Sequence, residues 1–197
     1  MEQLPSQETR EQLRWKKLSE IEPLEDHHYE IESRDDLAQL IEAPLLAACQ
    51  DLYDKNVQTY MSSANKKDIG RNASFSIIYQ TLSAENKIIA QKLIDEKVAY
   101  FIEGSEIFPT RIQIEIPITK ETTCGDVEDA SLKVTERFVS QQRQYTPDDL
   151  MDKFYSEIEN DIRGNEITPE YFEKYGYSYD PVENIFYKRL KSINGEF

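Results

Sequence analysis

The chain is poor in the residues that most often carry protein chemistry. It has two cysteines, Cys49 and Cys124, too few for a disulfide framework or a four-cysteine zinc site, so reduced thiols and a cytoplasmic location are expected. It has two histidines, His27 and His28. Adjacent strand residues face opposite ways, so the pair with Glu25, Asp26 and Glu30 does not make a convincing metal site, and none is expected. Glycine is scarce, with 6 residues, and nowhere falls into G-x-x-x-x-G-K-[ST] spacing, which excludes a P-loop. No apolar run reaches the eighteen or so residues of a membrane span, and the start lacks a basic segment followed by an apolar stretch. No cofactor is expected.

Positive charge is the other shortage. Against 38 acids stand 23 Lys and Arg, a formal charge of -15, which argues against nucleic acid or an anionic membrane as a partner, because phosphate binding needs clustered cations. The acids are unevenly spread. Residues 1–36 carry 11 acids and 5 bases, residues 37–83 carry 4 of each, and the remainder carries 23 acids against 14 bases.

What is present is globular in character. The 197 residues are 39% hydrophobic and 11% aromatic, enough to bury one core despite a mean hydropathy of -0.68. Periodicity predicts an α+β fold with one mostly antiparallel sheet of about four strands, from the runs 57–61, 73–79, 98–103 and 111–118. Helices at 34–55 and 84–97 are expected to cover it, the first interrupted or restarted at Pro44. Ile112, Ile114, Ile116 and Ile118 alternate onto one face, and 98–103 with 111–118 suit a hairpin.

Residues 1–26 read as a polar, partly helical arm, either anchored through Trp15 or mobile. Residues 27–120 make the α+β core, beginning with a short strand through His27 to Ser33. Residues 121–197 make a helix-rich C-terminal portion, packed on the core as a single domain. There Val127, Ala130, Val134 and Phe138 form one stripe, and Thr146-Pro147-Asp148-Asp149 is a helix start. Leu150, Phe154, Ile158 and Ile162 continue that helix, and a terminal β-hairpin turns through 180–184.

Two segments are candidate sites. The loop leaving the first strand offers Ser62, Ser63, Asn65, Lys66, Lys67 and Arg71, a set of hydroxyl, amide and cationic donors suited to a phosphate or carboxylate. Gly70 allows unusual backbone angles there. A solvated connection is the competing reading. The second segment is the aromatic tail: 6 of the 12 tyrosines lie in the last 43 residues, and Tyr175, Tyr177, Tyr179 and Tyr187 suit an interface. Those rings could instead cover a thin C-terminal subdomain. Cys124, just before a helix, could have its thiol activated by the helix dipole, and a cysteine hydrolase would need His27 or His28 beside it.

Two functions remain from different classes. One is an acidic interaction protein without an evident catalytic site, binding another protein or itself. The alternative is a small enzyme or ligand-binding domain that takes an anionic small molecule at the Ser62 to Arg71 loop.

Overall fold

A computed structural model describes residues 9–24, 33–105, 108–155, 158 and 168–188. The strand expected through His27 and the helix continuation through Ile162 fall outside the described residues.

The main sheet has four antiparallel strands, β1 (Thr59–Ser63), β2 (Asn72–Ile78), β3 (Ala99–Ile102) and β4 (Arg111–Pro117), in the order β1-β2-β4-β3. Register follows from alternation. Ala73, Phe75 and Ile77 sit opposite Ile116, Ile114 and Ile112, so one slip would turn every one of these side chains to the wrong face. Each is buried, and the phenylalanine and isoleucines among them contribute about 1.5–3 kcal/mol each on burial. A register shift between Thr59 and Ser62 breaks the β1 ladder. Beyond β3, Gly104 lets the chain turn back, since a Cβ there would meet the Thr110 nitrogen at 2.6 Å and the Phe108 oxygen at 2.7 Å.

The predicted helix at 34–55 is two elements. A 3-10 turn over Asp35–Gln39 precedes α2 (Ala43–Asp54), whose first turn holds Pro44; proline lacks the N–H that an interior position must donate, so the helix restarts there. Asn56 ends it with φ 57°, a left-handed angle that asparagine tolerates. Ser83 caps α3 (Ala84–Asp95) by accepting from the Asn86 amide. α4 (Cys124–Thr135) packs on α2, and its Val127 and Val134 share the main core with Leu45, Leu52 and Phe75. This helix therefore belongs with the sheet and not with the C-terminal elements that follow it in sequence.

The N-terminal segment is docked, but not through tryptophan. α1 (Arg10–Trp15) lays Arg10 and Arg14 on Glu128 of α4, with Arg14 Nη1 2.8 Å from Glu128 Oε2. Leu18 is fully buried in the main core, while Trp15 is 79% exposed. Backbone bonds complete the attachment: Leu18 N–H donates to Thr122 O at 2.9 Å and Cys124 N–H to Lys16 O at 2.8 Å.

A second sheet, in the order β5-β7-β6, is formed by β5 (Gln144–Tyr145), β6 (Tyr177–Asp180) and β7 (Ile185–Lys188), with α5 (Pro147–Lys153) and a 3-10 segment over Pro169–Tyr175 beside it. The terminal hairpin is β6–β7, and β5 adds a third strand too short to show an alternation in the sequence. Leu150, Ile158, Phe172, Tyr177 and Phe186 make a separate small core.

Candidate functional site

The Ser62 to Arg71 loop begins where β1 ends and closes through a 3-10 turn over Lys66–Asp68. Asn65 caps that turn by accepting from the Lys67 amide at 2.9 Å, and its own amide donates to Glu42 Oε1 at 2.9 Å. Asp68 Oδ2 takes the Ser63 hydroxyl at 2.8 Å and the Asn65 backbone N–H at 2.9 Å. The donors that could hold an anion are thus already turned onto carboxylates of the chain itself. Lys66 Nζ reaches Glu22 at 2.6 Å. Ser62 pairs with Phe75 in the sheet, and Gly70 takes φ 87°. Among the described residues, Lys67 and Arg71 are the loop cations that remain exposed without a carboxylate partner.

The tail tyrosines divide by depth. Tyr177 is 1% exposed, packed edge-on against Tyr145 at 5.3 Å and against Phe154 at 6.0 Å. Its ring supports the second core and offers no surface, because a ring enclosed on all sides has nothing left to present. Tyr175 stacks on Phe154 at 4.2 Å, and the Tyr179 hydroxyl donates to Asn184 at 2.7 Å. Tyr175, Tyr179 and Tyr187 are half-buried.

Neither thiol is activated. Burial pushes Cys124 up to about 11, outweighing the lowering by its own helical backbone N–H and by Lys16. Burial pushes Cys49 up to about 12, with Glu42 adding to it. At Cys124 desolvation, which penalises the thiolate, outweighs the lowering that a helix start could supply. His27 and His28 lie outside the described residues, among which no cluster of three His, Cys, Asp or Glu is arranged to hold a metal. No described helix is long and apolar enough to cross a membrane.

A further group of exposed aromatics lies on and beside one edge of the main sheet. Tyr100 and Phe101 on β3, with Phe108 in the connection to β4, are 44–48% exposed. β3 is the end strand of its sheet. Phe101 leans edge-on against Tyr79 at 5.2 Å, and the Tyr100 hydroxyl donates to Glu115 at 2.8 Å. The signal was available in "VAYFIE": two adjacent aromatics put an apolar ring on each face of a strand, and only one of those faces can be core. Glu103 is exposed at the end of the same strand.

No protein-family model, no curated protein and no solved structure matches this chain.

Proposed function

We propose that the protein is a non-catalytic interaction protein of the cytoplasm that recognises an extended, basic segment of another protein along β3. The observation that carries this reading is the coincidence of a sheet edge with exposed rings: Tyr100 and Phe101 lie on an end strand to which no further described strand is paired, and Phe108 is exposed in the connection that follows it. Natural edges are ordinarily blunted by lysine, proline or a bulge, and Ala99–Ile102 has neither residue. Such an edge accepts an added strand through backbone hydrogen bonds, with aromatic anchors supplying specificity. Charge selects the partner. A chain of formal charge -15, with Glu103 and Glu115 beside the edge, attracts lysine and arginine and repels a second copy of itself. Selection of displayed random peptides on the wild-type protein tests this. The reading expects basic, alternating sequences that are lost on Tyr100→Glu with Phe101→Glu; acidic winners, or winners indifferent to that double substitution, contradict it.

A second reading is favoured by the exposure of Lys67 and Arg71: an anionic small ligand at the outer rim of the Ser62 to Arg71 loop, in a ligand-binding domain or small enzyme. Phosphate-bearing and carboxylate metabolites should then raise the melting temperature of the wild type more than that of Lys67→Ala with Arg71→Ala. Equal response refutes it.

A further inference from the structure

A cavity of about 260 Å³ lies where the two sheets meet, between the end of α2, the start of β1 and the segment leading into α5. Leu37, Val57 and Ile78 give it apolar walls, and Gln58, Arg143 and Asp149 stand in its polar lining beside Asn56 and Thr59. The polar side chains are unusual in what they lack. The Arg143 guanidinium lies over the Tyr145 ring at 5.3 Å, yet among the described residues it meets no carboxylate, in a chain that has 38. The Nε of Arg143 and the Oε1 of Gln58 are buried without a hydrogen-bond partner. Asp149 commits Oδ2 to the Thr146 N–H at 2.7 Å and forms no ion pair with Arg143. Arg143, Asp149 and Gln58 thus border one space without pairing with one another.

Buried polar groups are nearly always matched, and a guanidinium is shaped to take a carboxylate with two parallel bonds. We propose that this cavity binds a small zwitterion of the α-amino acid type. Its carboxylate sits on Arg143, its ammonium is shared by Asp149 and the Gln58 amide, and its side chain lies against Leu37, Val57 and Ile78. A single-charge ligand matches less well: a simple acid leaves the second oxygen of Asp149, Oδ1, without a protein partner, and a simple amine leaves Arg143 unmatched. Size agrees with the assignment, since the space is below the roughly 300–1,000 Å³ of drug-sized pockets. Apolar amino acids are favoured because three aliphatic side chains line the walls. The site is separate from the β3 edge, so either assignment can fail without the other.

The test is titration of the wild-type protein with each of the twenty amino acids, followed by thermal shift and by backbone amide chemical shifts. At about one hundred times its dissociation constant, a true ligand raises the melting temperature by roughly 5–10 °C. The amine and the carboxylic acid carrying the same side chain as the best ligand do so far less. Shifts concentrate at 56–60 and 143–149, and Arg143→Gln, checked for native circular dichroism, loses roughly tenfold or more in affinity. The assignment is overturned if no amino acid binds, if either single-charge analogue binds as tightly, or if the chemical-shift changes lie elsewhere. The shift map is read on the wild type, so a poorly folded Arg143→Gln does not remove the test.

Discussion

Asn86 and Gln141 are joined side chain to side chain, Asn86 Nδ2 donating to Gln141 Oε1 at 2.8 Å. Asn86 is fully buried and also holds Val139 at both ends, donating to its carbonyl and accepting from its N–H, each at 2.9 Å. Gln141 in turn donates to Thr81 O at 2.7 Å and to Asn56 O at 3.1 Å. These two amides fasten the chain leaving the main core just before it enters the second sheet.

Removing Asn86 therefore leaves the backbone N–H and carbonyl of half-buried Val139 without these partners. Asn86→Ala is expected to destabilise by roughly 2–4 kcal/mol in urea unfolding. Gln91→Ala, on the exposed side of the same helix, should fall within about 0.5 kcal/mol of the wild type. Equal effects at the two positions would show that the amide network is dispensable.

The docked N-terminal segment gives a second contrast. Leu18 is buried and Trp15 is not, so Leu18→Ala should cost about 2–5 kcal/mol. Trp15→Ala should cost within about 0.5 kcal/mol, although it removes far more atoms. Denaturation midpoints of the two variants decide whether leucine or tryptophan anchors the arm.

Acid sensitivity follows from the cap of α4. The Thr123 N–H and hydroxyl both donate to Asp126, at 2.8 Å each, and these bonds, with Arg14 also contributing, hold its carboxyl below the ordinary carboxylate range. A carboxyl whose folded value is lowered binds its proton more readily in the unfolded chain. Its stabilisation is therefore complete above its unfolded value, about pH 4, and is lost as pH falls through the lower folded value. Asp126→Asn should narrow the stability gap between pH 6 and pH 3. An unchanged pH profile would mean that the cap does not report on Asp126 ionisation.

Both thiols should be inert in the native protein. With Cys124 pushed up to about 11 and Cys49 to about 12 by burial, an alkylating reagent at about pH 8 should label neither thiol until denaturant is added. Rapid native labelling at Cys124, read by mass spectrometry, would restore the case for a nucleophile.

The sheet was legible because its information is local. Ile112, Ile114 and Ile116 alternate without interruption, and Ser83 and Thr146 announce helix starts by side-chain chemistry that acts within three residues. β5 was not legible, because two residues carry no period and its pairing with β7 spans some forty positions. The side-chain chemistry of the loop was legible, but the acceptors that Ser63, Asn65 and Lys66 take were not: Glu42 lies 23 residues from Asn65, and only the fold brings them together. Tyr177 and Tyr187 look alike in sequence, and whether a ring is core or surface is decided by which face of β6 or β7 it occupies.

Recognition of an extended segment along β3 is read out by hydrogen–deuterium exchange. A basic peptide selected on the wild-type protein, added at saturation, should slow exchange of the amides within 99–103 and leave β1, the opposite edge, unchanged. Protection confined to other segments, or no protection at 99–103 while the peptide is bound, would contradict it.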